Sequence, residues 1–330
     1  MIRPRPTLPF FRAATLVAAL VVSILSGCAG APPLDPARLA PLPASLELTD
    51  TPYFAQERNH CGPASLAMVL RAGGFDASPD SLAPLVFLPA RQGSLPLDML
   101  GGARRVGAVA LRLEPSVEAL FEQIAQGRPV VVLQNLGLSW YPRWHYAVAI
   151  GFDRPREVLI LRSGPETRQE LPLATFDHTW QRSGRWAMIV ATAGELPRGI
   201  SAARYTESLI ALERIRRFSE ARQAYLAGVK RWPTELPLWV GLGNTAYAMG
   251  DLEASEQAFR EATVRHPDAD APLNNLAHVL ALRGRFAEAR AAAESAVALK
   301  GPNEDAARRT LEEVLAREAA ARPAAITPPE

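Results

Sequence analysis

The sequence predicts an α+β domain followed by an all-α repeat solenoid, and three observations lead there. Helical patterns precede several short apolar runs of strand length in the middle of the chain. Prolines then recur at a spacing of 34 and 35 residues (Pro233, Pro267, Pro302) in the last third. Finally, 330 residues exceed one small domain. A hydrophobic fraction of 48% and a charged fraction of 21% are close to the globular average and exclude wholesale disorder. Lys and Arg number 36 against 34 Asp and Glu, a net charge of +2, so no nucleic-acid partner is expected. The two cysteines, Cys28 and Cys61, exclude a disulfide framework.

The α+β region is expected over residues 46–195. Cys61-Gly62-Pro63-Ala64-Ser65-Leu66-Ala67-Met68-Val69-Leu70 opens a helix that stops at Gly73-Gly74, with Pro63 in the first turn, where its missing N–H costs nothing. Helices are also predicted over residues 96–106 and 116–126. Strands are predicted at 129–134, 145–152, 157–161 and 186–192, the middle two joined as a hairpin by Asp153-Arg154-Pro155-Arg156. Asp177 is a candidate helix cap.

The N-terminus carries Arg3, Arg5 and Arg12, then an apolar run over residues 13–25 that is too short for a comfortable membrane span. It ends in Leu25-Ser26-Gly27-Cys28, which resembles a bacterial lipobox. The resemblance implies a signal peptide at residues 1–27, cleavage after Gly27 and a lipidated Cys28 that anchors the chain in a lipid membrane. Ala29, rather than Asp, follows the cysteine, which favours the outer membrane with the chain facing the periplasm. Residues 28–45 are rich in Pro and Ala and read as an extended tether without a packed core.

In the last third, Trp239, Leu242, Gly243, Gly250, Phe259, Ala262 and Pro267 match the tetratricopeptide spacing. Leu276, Ala277, Gly284, Ala289 and Ala296 continue it, and Ala221, Tyr225 and Pro233 mark a weaker first repeat. Ala246 and Ser255 depart from the usual tyrosine and alanine. Three repeats plus a capping helix are expected over residues 202–319, with a disordered tail at 320–330. Such a solenoid contacts mainly itself, is expected to fold alone, and would bind a protein partner.

Cys61 at a helix start is well placed to be a nucleophile, because the helix N-terminus favours thiolate over thiol. A depressed thiol pKa is therefore expected. Among five histidines, His145 begins a strand that can face that helix, whereas His60 adjoins Cys61 and diverges from it. Gln56 could donate its amide to a developing oxyanion. No metal-ligand spacing and no phosphate loop occurs, and no cofactor is expected. Tyr141, Trp144 and Tyr146 beside His145 read as core packing or as a groove wall.

Gln56 with Cys61-Gly62-Pro63-Ala64-Ser65-Leu66-Ala67-Met68, and His145-Tyr146-Ala147-Val148, resemble the double-glycine, bacteriocin-processing cysteine peptidases. The resemblance spans about residues 51–192 and implies a papain-like fold. It also implies Cys61 as nucleophile, His145 as general acid/base and Gln56 as oxyanion donor. That family places an Asp-Pro pair after the next strand to orient the imidazole; here the stretch reads Leu161-Arg162-Ser163-Gly164. Asp153 lies eight extended residues, about 26 Å, from His145. A hairpin turning between Asp153 and Arg156 instead brings Ser163 near His145, where its hydroxyl or a backbone carbonyl would fix the tautomer. Arg162 is open to three roles: favouring the thiolate, binding a substrate carboxylate, or a solvated charge. The expected function is a membrane-anchored cysteine peptidase acting on a peptide or protein through a Cys61 acyl-enzyme. The rivals are a non-catalytic peptide-binding adaptor and a thiol-dependent acyltransferase or amidase.

Overall fold

A computed structural model describes residues 34–55 and 59–321 of the chain. Seven strands form one sheet: β1 (Ser45–Glu47), β2 (Val109–Arg112), β3 (Val130–Asn135), β4 (Trp144–Asp153), β5 (Val158–Ser163), β6 (Glu166–Pro172) and β7 (Ala187–Ala191). Their order is β2-β7-β3-β4-β5-β6, all antiparallel, with β1 beside the far end of β4. β3 is apolar and β-branched at its start and buried along its whole length, as a central strand should be. β4 carries a bulge between Ala149 and Gly151. A Cβ on Gly151 would lie 2.7 Å from the Leu46 carbonyl oxygen, so glycine is what lets β1 close in.

Helices cover both faces. On one lie α2 (Cys61–Ala72), α3 (Pro79–Val86) and α4 (Pro96–Arg105), whose Leu66, Met68, Leu70, Leu82 and Met99 pack on Val131, Val148, Ile150 and Met188. On the other lie α1 (Pro36–Leu39), α5 (Val117–Ala125) and α6 (Leu173–Gln181), with Leu120, Phe121, Phe176 and Trp180 against Val130, Val132, Ala147 and Ala149. This is the α+β class expected. β1, β2, β6 and α3 were not foreseen: β1 and β2 are three and four residues long, β6 is a charged edge strand, and α3 carries Pro84 internally.

The expected tether needs correction over its described part. Asp35 caps α1, Arg38 pairs with Glu122 at 2.8 Å, and Leu39 is buried in the core. Arg154 donates to the carbonyls of Leu39 and Leu42 at 3.0 and 2.9 Å. Pro-rich sequence is thus held against the domain by a buried leucine and by ion pairs. The signal segment and Cys28 lie outside the described residues.

Seven helices follow: α7 (Ala202–Arg214), α8 (Phe218–Arg231), α9 (Leu236–Ala248), α10 (Leu252–Arg265), α11 (Asp270–Leu282), α12 (Phe286–Ala298) and α13 (Glu304–Ala321). They form the helical-repeat region expected, with the last helix running two residues past 319; residues 322–330 lie outside the described residues. Gly250 and Gly284 occupy the left-handed region at φ 80° and 75°, each ending the first helix of its pair. At Gly243 a Cβ would sit 2.5 Å from the Phe259 ring, and Ser255 Oγ donates to the Gly243 carbonyl at 2.9 Å. Gly243→Ala is therefore expected to destabilise: the gain in helix propensity, about 1 kcal/mol, is outweighed by an overpacking cost of about 1–3 kcal/mol. Urea unfolding of the full chain checks this, and an unchanged midpoint would mean the ring moves aside freely.

The first repeat is not independent of the sheet. Tyr205, Leu209 and Leu212 share one hydrophobic cluster with Val109, Leu111 and Leu113. Ser208 Oγ donates to the Ala110 carbonyl at 2.7 Å in a buried bond, and Arg217 reaches the Arg105 carbonyl. The expectation that repeats contact mainly one another fails here, because α7 has an apolar face for β2 to cover.

Candidate active site

α2 begins at Cys61, with His60 at its N-cap and Pro63 in its first turn, and residues 62–70 are buried without a break. That burial clamps the helix to the sheet and fixes where its first residue sits. Asn59 turns the chain into it at φ 69°. His60 stacks on Phe87, ring centroids 4.6 Å apart. A Cβ on Gly62 would overlap Ser94 Oγ, so glycine admits the Ser94 loop against the helix start.

His145 stands at the start of β4, opposite Gln134 of β3. Its Nε2 lies 2.9 Å from Ser163 Oγ on β5. Gln134 is held in turn by Thr179 of α6, at 2.7 Å. Cys61 and His145 line one pocket of about 390 Å³ together with Asn59, Leu136, Arg143, Trp144 and Gly164. A second pocket of about 640 Å³ opens on Cys61 between Ser94, Leu95 and Pro96 on one wall and Pro142, Trp144 and Arg182 on the other. Cys61, His145 and Ser163 therefore meet at one end of the sheet. Gln56 lies outside the described residues.

The electrostatics differ from the sequence expectation. Burial pushes the Cys61 thiol up, and the backbone N–H groups of Tyr146, Gly62 and Cys61 pull it down less. Burial pushes His145 down, and the Arg143 charge adds to that. A depressed thiol is not what this site leaves. Burial thus favours the neutral form of each group. Tyr146 is pushed up by burial first and then by Cys61 and Asp98.

Other expected residues sort differently. Arg162 is 9% exposed and donates to the carbonyls of Thr167 and Thr49, both at 2.8 Å; it braces the loop before the site. Asp177 is no cap: it is buried inside α6 and takes Arg185 Nε at 2.7 Å. Tyr146 is core, with its hydroxyl donating to the Ser94 carbonyl at 3.3 Å, whereas Tyr141 and Trp144 are exposed. Ser94 and Arg143 were missed. Only the fold brings the Ser94 loop to the site, whereas Arg143, two residues before His145 in an extended segment, was open to an i, i+2 reading. Among the described residues no group of three or more His, Cys, Asp or Glu could hold a metal.

An antiparallel sheet crossed by a helix that opens on a cysteine, with a histidine at the facing strand end, defines a cysteine-peptidase-like domain. Residues 48–188 match the model of the Peptidase_C39 like family, so the chain carries a Peptidase_C39-like domain there. A C39-like peptidase from Bacillus anthracis is 19% identical, with a TM-score of 0.37 over 44% of this chain and 96% of that one. The Sgt2 TPR domain from Aspergillus fumigatus is also 19% identical, with a TM-score of 0.37 over 42% and 90%. The type III secretion translocator chaperone SycD from Yersinia enterocolitica is 16% identical, with a TM-score of 0.34 over 37% and 88%. No curated protein matches the chain significantly.

Proposed function

We propose that the chain is a lipid-anchored, periplasm-facing cysteine peptidase whose repeats recruit a protein partner. The observation that carries the reading is the shared pocket of Cys61 and His145, with Ser163 on the far nitrogen of the ring. Ser163 leaves Nδ1 as the nitrogen free to serve Cys61. On substrate binding the imidazole takes the thiol proton, the sulfur attacks the scissile carbonyl, and the imidazolium returns the proton to the leaving amine. Water then hydrolyses the acyl-enzyme by the reverse transfer. The backbone N–H of Cys61 and its helix start favour the oxyanion. The adaptor reading draws on one observation: no carboxylate among the described residues supports His145.

An active-site-directed thiol probe is expected to label Cys61 in the wild type and not in His145→Ala. An unlabelled wild type would leave the adaptor. Cys28→Ser is expected to leave the membrane fraction on a high-salt wash that the acylated chain withstands; its retention through that wash with normal processing would end the anchoring part.

The pH profile follows from the same groups. His145 is pushed down, so it stays neutral to lower pH, and the acid limb of kcat/KM is expected below pH ~6.5, the unperturbed imidazole value. Ser163→Asp places an anion on Nε2, favours the imidazolium, and is expected to move that limb to higher pH. A limb that stays put would show that Ser163 does not touch the working imidazole.

A further inference from the structure

The loop between β3 and β4 is an apolar protrusion beside the Cys61 cleft. Leu138 and Tyr141 exchange two backbone hydrogen bonds of 3.1 Å, making Ser139-Trp140 the apex of a tight turn. At its base Leu136 N–H donates to the Arg143 carbonyl at 2.9 Å. The turn is built to hold its shape. Asn135 Oδ1 accepts from the N–H groups of Gly137 and Arg143 at 3.0 and 2.9 Å, and Arg182 donates to the Gly137 carbonyl. A Cβ on Gly137 would lie 2.4 Å from the Tyr141 carbonyl oxygen, so the crossing is possible only for glycine.

This ordered turn exposes what a soluble surface ordinarily hides. Trp140 is 80% exposed and Tyr141 67%, and Leu97 on α4, next to the pocket-lining Pro96, is 78% exposed. Trp140, Tyr141 and Leu97 line neither pocket on Cys61. Below the apex the charges are cationic: Arg143, Arg91 and Arg182 line the two pockets, and no Asp or Glu is among the described lining residues. Indole at the tip, aliphatic side chains beside it and guanidinium groups at the base follow the depth order of a bilayer surface, from acyl boundary to phosphate. An anionic bilayer complements both the exposed indole and the guanidinium groups at the base of the turn.

We propose that Trp140, Tyr141 and Leu97 dock on an anionic lipid surface and hold the mouth of the Cys61 cleft against it. Substrates would then be polypeptide segments emerging at the bilayer. The surface needs no acyl group on Cys28, and its failure would leave the peptidase reading intact.

The test is fluorescence quenching of the full chain mixed with vesicles of phosphatidylcholine and phosphatidylglycerol carrying brominated acyl chains. Quenching is expected in the wild type and equally in Cys61→Ala, and is expected to fall by more than half in Trp140→Phe. The phenylalanine keeps the turn, which near-ultraviolet circular dichroism verifies. Vesicles without phosphatidylglycerol are expected to quench less, and Arg143→Gln to remove that difference. Equal quenching of wild type and Trp140→Phe would overturn the proposal. So would slower cleavage of a soluble peptide by Trp140→Phe without any quenching in the wild type, because the tip would then be a substrate wall.

Discussion

Cys61→Ala is expected to lower peptide hydrolysis by on the order of 10^4-fold or more while leaving the fold in place. The size follows from the role: without the sulfur no acyl-enzyme forms, and loss of a nucleophile removes nearly all catalysis beyond what binding and oxyanion donors supply. The fold is spared because Cys61 is only partly buried at a helix start, and alanine keeps the helix. His145→Ala should fall by a similar factor, and the double variant no further than the single ones, because the two act as a unit. Turnover by purified single and double variants, beside their melting curves, decides it. A Cys61→Ala protein that still cleaves at a tenth of the wild-type rate would place the chemistry elsewhere.

The largest effect on stability is expected from Trp180→Ala, about 3–5 kcal/mol. Trp180 is fully buried, stacks on Phe176 with ring centroids 5.2 Å apart, and donates its indole N–H to the Trp186 carbonyl at 2.9 Å. Truncation opens a cavity under α6 and removes one of the two hydrogen bonds on the Trp186 carbonyl, which keeps the one from the Leu133 N–H. The consequence reaches the site, since Thr179 of the same helix holds Gln134 beside His145. Denaturant midpoints give the size of the loss; a change below about 1 kcal/mol would mean the cavity collapses without cost.

What was legible in the sequence was what local pattern or pairing geometry dictates. The Cys61 helix announced itself by Pro63, a run of apolar residues and the glycine stop. The β4–β5 hairpin could be paired across its turn, and that pairing puts Ser163 near His145, whose Nε2 lies 2.9 Å from its hydroxyl. Long-range placement was not legible. Leu39 is buried because Arg154, more than a hundred positions away, grips the carbonyls beside it. Asp177 reads like a cap, yet its partner Arg185 draws it inward. Burial reversed the thiol shift that the helix start alone favours, and burial is a property of the whole fold.

The seam between α7 and β2 gives the molecule the character of a gauge rather than a leash. A flexible linker would let a captured chain be cut anywhere within its reach. Here Ser208 and the leucines of α7 lock into the sheet that carries His145, so the first repeat is fastened to the domain that holds the cleft. If the repeats recruit the substrate as proposed, a polypeptide held there would have to bridge the interval to the cleft, and segments too short or too stiff to do so would gain nothing from the second foothold. Selection by span would thus be added to selection by residue type, and it would be written into a contact nowhere near the reacting sulfur.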